Sequence, residues 1–272
     1  MSTGSAQPLL AIRIPPSRLI RRIAGAAAVG LVVLLWWLAT MGAVEDRFIS
    51  PVILPSPAEV VRSFPVLLND RGLLESIAAT MRRVLIGFGL AAVVGIPLGI
   101  IAGSWRLFEA AAAPLALFGR NLPVAALIPL TVLWFGIDEP QKVMFIFIAC
   151  VPFVYSDVVN AIASVPDRYV ETAQTLGASE LQVVSKVLVP LALPHIYDAS
   201  RQLFGLAFGY IMLAELVNAD RGLGKLLMDS QRRSIPEHVI LILIIISLLA
   251  YGIDRLLLTL QRGLFPYRVV EA

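Results

Sequence analysis

The sequence predicts an all-α protein: an integral membrane helical bundle of six transmembrane helices, with a cytoplasmic helix–turn–helix between the fourth and fifth. Three observations carry this. Of 272 residues, 58% are hydrophobic and only 15% are charged, whereas a soluble domain carries about 25% charged residues. The apolar residues gather in runs near the roughly 20 that a spanning helix needs. One long polar interruption, ETAQTLGASELQVVSKVLVPLALP at 171–194, has helix start and stop signals of its own.

Other classes fall away on composition. The net charge of +3 is small, and no basic stripe with interleaved aromatics points to nucleic acid. Cys150 is the sole cysteine, so no intrachain disulfide can form. His195 and His238 have no neighbours at metal-ligand spacing, so no metal site is expected.

The first span is expected at Ala24–Ala43, after Arg13, Arg18, Arg21 and Arg22. A signal peptide is the rival. Its core would be about 7–15 residues with a small-x-small exit, and this run is longer with a poor exit, so a retained anchor is expected. Residues 1–23 then form a cytoplasmic N-terminal segment. A covered external loop follows, with Pro51, Pro55, Pro57 and Pro65. A short helix is expected from Ser56 to Leu68, with Ser56 as its cap and Pro57 as its first residue.

The second span is expected at Ser76–Gly103, where Gly95, Gly99 and Gly103 stand four apart on one face. Small residues let membrane helices approach closely, so a tight seam is expected there, and Pro97 should kink the helix. The third span is expected at Leu107–Gly136 and the fourth at Val143–Ala163. The fifth is expected at Ile196–Val217, where Gly205 and Gly209 suggest a second close approach, and the sixth at Val239–Leu260. The transmembrane domain is thus 24–261, with a cytoplasmic tail at 262–272. Six spans put both ends on one side, and the Arg-rich N-terminus marks it as cytoplasmic. Lys and Arg otherwise divide almost evenly, so the positive-inside rule alone leaves orientation open.

The polar interruption, at about 164–195, reads as two short helices. Pro166 and Asp167 supply a start, with the acid at the positive end of the dipole. Tyr169, Ala173 and Leu176 form one apolar stripe. Gly177 ends the helix by taking the left-handed conformation. Ser179 and Gln182 form an S-x-x-Q capping box for a second helix, and Pro190 and Pro194 close the unit. Physics alone leaves two readings: an interfacial helix that anchors a loop, or a docking surface.

Those residues resemble the EAA motif of bacterial ABC importer permeases: EAA, three residues, Gly, nine residues, then I-x-LP. Here Glu171, Thr172 and Ala173 precede Gly177, and Val187 and Val189 precede Pro190. Thr172, Val187 and Val189 depart from the pattern by modest changes of size or branching. The segments ILPSPAEV (53–60), NLPVAALIPLTVLWFGIDEPQK (121–142) and AELVNADRGLGKLL (214–227) look like those of permeases for sulfonate, taurine, nitrate and bicarbonate. The resemblance implies a type I ABC importer permease in a bacterial inner membrane. Glu171, Thr172, Ala173, Gly177, Ala178, Ser179 and Pro190 would form the unit that docks on the ATPase. The implied partners are two ABC ATPase subunits, a second permease copy (a homodimer), an extracytoplasmic substrate-binding protein and the lipid bilayer. ATP and Mg would be bound by the ATPase subunits. This chain lacks a G-x-x-x-x-G-K-[ST] loop, so no catalytic residue and no cofactor of its own is expected.

Polar groups inside spans are costly and mark function by default. Arg120 and Asn121, ahead of Pro123, and Asp157 beside Tyr155 and Ser156 are the candidates for a translocation path. Arg120 and Asp157 would each lie roughly 9 Å from the cytoplasmic boundary and could pair. The pair would either hold two helices together or act as an inner gate and transient anion contact. Arg82 and Arg83 are expected to snorkel at the outer end of the second span, or to guide an anion at its rim. Glu215, Asp220 and Arg221, with Lys225 near them, are either a docking site for the binding protein or a plain surface loop. Trp36, Trp37 and Trp134 are expected to pack against lipid or fix interface depth. The alternative function is an ATP-independent secondary transporter or channel, which would need coupled carboxylates at mid-membrane. A membrane scaffold without transport is the third reading, and it has no use for charges inside spans.

Overall fold

Helices make up all regular structure of the described residues in the computed structural model, which are 17–42, 47, 49–217 and 219–266. Residues 1–16 of the expected N-terminal segment, the end of the first span at Ala43, part of the loop that follows and most of the tail therefore lie outside the described residues, while the rest of that segment already belongs to the first helix.

Helix α1 (Arg18–Ala39) starts at Ser17, whose hydroxyl accepts the Ile20 N–H at 3.3 Å. Its apolar side chains stay exposed on nearly every face. Trp36 is half-buried. Its indole N–H donates to the Pro55 carbonyl at 2.9 Å and ties α1 to the loop that follows. The expected single helix of that loop is two, α2 (Pro57–Arg62) and α3 (Phe64–Asp70). The break falls at Ser63, because Pro65 is tolerated only in the first turn of a new helix. Ser56 caps α2 as expected, in a capping box with Glu59. Arg47 holds Glu59 through bonds of 3.0 and 2.9 Å.

The long helix α4 (Leu73–Ser104) carries Pro97 inside it and lies along α7 (Glu139–Ala163). The glycine seam is where the sequence places it. A Cβ at Gly95 would stand 2.8 Å from Val154, at Gly99 2.6 Å from Val158, and at Gly103 2.8 Å from Ile162. Gly87 extends the seam toward Ile146. Helix α7 is thus the central element, with Phe145, Val154 and Val158 buried against Val84 of α4 and Ala207 of the tenth helix.

The third span is not one helix. Helix α5 (Arg106–Asn121) stops at Leu122, and α6 (Leu127–Phe135) follows a short 3-10 turn at Val124–Ala126. The two axes differ by 87°. Pro123 explains the break, since the residue before a proline is pushed out of the helical region, and Leu122 has φ −66° and ψ 130°. Helix α6 is docked on α7 by the Gln141 amide, which donates to Thr131 Oγ1 at 3.0 Å.

Helices α8 (Asp167–Thr175) and α9 (Glu180–Val183) follow, then a π-helical turn at Val184–Leu188 that leads into α10 (Val189–Glu215) without a break. Pro190 and Pro194 therefore do not close the unit. Pro190 sits in the first turn of α10, and Pro194 lies inside it. The wide turn comes just before Pro190, where it relieves the ring's clash with the carbonyl four residues back. Helices α11 (Leu223–Arg232) and α12 (Pro236–Leu264) complete the chain. A second core joins Val60, Leu67 and Leu73 to Leu223 and Ile242, and so fastens α2, α3 and the start of α4 to α11 and α12.

Gly205 and Gly209 differ from expectation. A Cβ at either would meet nothing within 4 Å, so they make no seam within this chain. The span count is also coarser than expected. Four helices, α1, α4, α7 and α12, are long and apolar enough to cross a membrane, and the bent pair α5–α6 makes up to five. Helix α10 has 27 residues, but Asp198, Arg201 and Glu215 interrupt its apolar run. A sixth crossing depends on hiding those charges in the bundle.

Candidate functional site

The α8–α9 unit stands off the bundle as a built surface. Helix α8 ends in a Schellman arrangement. The Gly177 N–H donates to the Gln174 carbonyl at 2.9 Å, and the Ala178 N–H to the Ala173 carbonyl at 3.0 Å. Gly177 has φ +81°, a conformation that suits glycine alone without strain. The Ser179 N–H then donates to Gln182 Oε1 at 2.9 Å, completing the expected box. Thr172 does more than replace alanine. Its hydroxyl donates to the Arg168 carbonyl at 2.7 Å and stays within the helix. Glu171, Ser179 and Pro190 are exposed, while Ala173 and Ala178 are half-buried. The ends of the apolar stripe are uncovered, with Tyr169 41% and Leu176 83% exposed, and beside them Leu181 of α9 is 70% exposed. The unit is joined to the corner between α4 and α5, where Trp105 Nε1 donates to Glu180 Oε2 at 3.3 Å.

The candidate path residues meet only in part. Arg120, Tyr155 and Ser156 line one groove of about 290 Å³ between α5 and α7, together with Glu109 and Asn160. The Tyr155 hydroxyl is buried and lacks a hydrogen-bond partner among the described residues. Arg120 and Asp157 do not form a direct ion pair. Instead the Arg120 guanidinium lies over the Phe153 ring, 5.4 Å from its centroid. Asn121 turns back to donate to the Leu117 carbonyl at 2.8 Å. Pro123 stands at the 87° break, and Asp157 is half-buried in α7.

At the other end of the bundle, Arg83 does not snorkel. It is 2% exposed and sits between two carboxylates. Its Nη1 donates to Glu215 Oε1 at 2.7 Å, and its Nε to Glu139 Oε2 at 2.9 Å. Arg82 remains at the surface and reaches Glu139 at 3.0 Å. Glu215, read from sequence as a docking residue, is 1% exposed and offers no surface. Asp220 and Arg221 are exposed, and Arg221 pairs with Glu75. Lys142 is buried and donates to the Ile137 carbonyl at 2.8 Å.

A further polar set joins α10 to α12. Arg201 pairs with Asp254, Gln261 Nε2 donates to Asp198 Oδ1 at 2.8 Å, and the Tyr197 hydroxyl donates to the Leu257 carbonyl at 2.8 Å. The sequence reading passed over this set and over Glu139, Lys142 and Thr80. The signal was available for Asp198, Arg201 and Asp254, which are charges inside expected spans. For Thr80 there was none, because a threonine in an apolar helix carries no mark of its partner.

The comparisons agree with this architecture. The taurine transport system permease protein TauC of Escherichia coli (strain K12) is 31% identical over 261 residues, covering 94% of this chain and 92% of that protein. The nitrate import permease protein NrtB of Synechocystis sp. is 30% identical over 251 residues, covering 89% of this chain and 88% of that protein. The fold resembles a chain of the inward-facing MetNI methionine ABC transporter, with a TM-score of 0.58 at 23% identity, covering 69% of this chain and 95% of that one. Residues 95–265 match the family described as the binding-protein-dependent transport system inner membrane component. With a bundle of apolar helices, an exposed helix–turn–helix and relatives matched along nearly its whole length, the chain belongs to that family of ABC transporter permeases.

Proposed function

We propose that this chain is the membrane subunit of an ATP-driven importer for small oxyanions, delivered by an extracytoplasmic binding protein. The observation that carries the reading is the α8–α9 unit. Its turn is fixed by Gly177, the ends of its apolar stripe are uncovered, and its polypeptide runs on into α10. Two ABC ATPase subunits, which bind ATP and Mg, dock on it through Glu171, Thr172, Ala173, Gly177, Ala178 and Ser179, with Pro190 behind them. A second copy of the chain completes a homodimer. Helix α10 is the fifth of six spans, its charges shielded by their partners on α12 and α4, and both termini lie in the cytoplasm of a bacterial cell. Arg120, Asn121, Pro123, Tyr155 and Asp157 border the path, where the broken α5–α6 span leaves backbone free to line a cavity. Asp220 and Arg221 face the binding protein. The oxyanion class is supported by relatives named for taurine and nitrate.

The test is the paired variant Gly177→Val and Glu171→Lys in the assembled transporter. Gly177→Val strains the turn, and Glu171→Lys reverses a charge at the docking face. Stimulation of ATPase activity by the binding protein should fall by roughly tenfold or more, as expected when central interface residues are lost. Unaltered stimulation in the paired variant would overturn the docking role.

A further inference from the structure

The outer end of the bundle buries charges that the path does not use. Arg83 and Glu215 are 2% and 1% exposed. Taking such a pair out of water is costly before its attraction is counted, so its value lies in what it holds in place. What it holds is the strap at 219–224. The Gly224 N–H donates to Glu215 Oε2 at 2.8 Å. The Thr80 hydroxyl donates to Glu215 Oε1 at 2.8 Å and accepts the Leu223 N–H at 2.9 Å. Arg83 donates to the Arg221 carbonyl at 2.7 Å. The approach is close enough that only glycine fits. A Cβ at Gly222, where φ is +143°, would come within 2.5 Å of the Glu215 carboxylate. The strap is therefore drawn onto the ends of α4 and α10 from below, and above it Asp220 and Arg221 face outward.

We propose that Thr80, Arg83 and Glu215 are positioning residues that hold this strap as a preformed ledge for the binding protein, and pass its contact to α4, α7 and α10. The proposal rests on the importer reading above. A loop ordered before docking spares the partner the cost of ordering it. Exposed charges of both signs set the register of a charged partner. A buried, multiply bonded anchor moves as a body rather than yielding locally.

Thr80→Val removes the bridging hydroxyl and keeps the side chain's shape; Thr80→Ser retains the hydroxyl. The readout is the ratio of ATPase rates of the assembled transporter with and without its own binding protein, loaded with taurine or nitrate. Amide exchange at 221–224 is followed beside it. Thr80→Val should lower the ratio about fivefold, the low end of measured coupling between sites, and speed exchange in the strap. Thr80→Ser should preserve both. The double variant Asp220→Ala and Arg221→Ala should lower the ratio while the strap stays protected. A loosened strap with an unchanged ratio overturns the ledge. So does a Thr80→Val protein whose basal rate and unfolding temperature fall together with the ratio, because that marks a merely structural role. Wild-type ATPase indifferent to loaded binding protein overturns the importer reading itself, and that result is read without any variant.

Discussion

Glu59 shows how a surface acid can be committed to a fold. Hydrogen bonding from Arg47, and then from the Ser56 N–H, lowers its carboxyl from the ordinary 4.5 to about 2. A depressed acid contributes stability that is complete above its unfolded pKa and is lost as pH falls toward the folded one. The difference in unfolding midpoint between wild type and Glu59→Gln should therefore be constant above about pH 5 and shrink between about 4.5 and 2. A difference that stays constant to the acid end would count against it. The capping role of Ser56 was legible, since a serine directly before a proline marks a helix start, but Glu59 as the other half of the box and Arg47 as its partner were not. The same limit explains Arg83. Arg82 and Arg83 are chemically identical neighbours, and only the docking of α7 and α10 buries one and leaves the other in water.

Among elements, α4 and α7 give the sharpest contrast between pattern and contact. Gly99→Val would drive a side chain into Val158 and the Tyr155 carbonyl, which stand 2.6 and 2.9 Å from the added Cβ. Backbone cannot step aside as a side chain can. The substitution should cost at least about 1–3 kcal/mol, read as a lower unfolding temperature in detergent, while Gly205→Ala leaves the chain's own unfolding temperature unlowered. Equal sensitivity at both sites would remove the distinction. Glycines four apart announce a smooth face, and the sequence displays two such faces. Which one is covered depends on the arrangement of helices, so the seam at Gly95, Gly99 and Gly103 was legible, whereas nothing in the pattern tells that the face at Gly205 and Gly209 stays open within this chain. Pro123 was read only as a path residue within one continuous third span, and the 87° break there needed the structure. The helix–turn–helix was the most legible element, because caps, a left-handed glycine and a stripe are all local.

At the scale of the molecule, α10 is fastened at both ends. Glu215 ties it to α4 beneath the outer strap, and Arg201 with Asp198 ties it to α12. Helix α9, the π turn and α10 form one uninterrupted helical run from Glu180 to Glu215. That continuity makes the π turn a setting of phase. One surplus residue in a helix rotates everything before it by about 100° relative to everything after it. On the proposed function, the angle at which α8 would meet the ATPase is thus written as a residue count in Val184–Leu188, independently of the chemistry of the docking face. Deleting Ser185 should restore an ordinary α-helix and leave the bundle folded. It would swing Leu176 and Leu181 out of register like a key cut with its teeth on the wrong side. On the proposed function, a transporter assembled from such a chain should reach the membrane, yet its ATPase subunits should hydrolyse ATP at one rate with or without the binding protein, and full stimulation after the deletion would show that the angle does not matter.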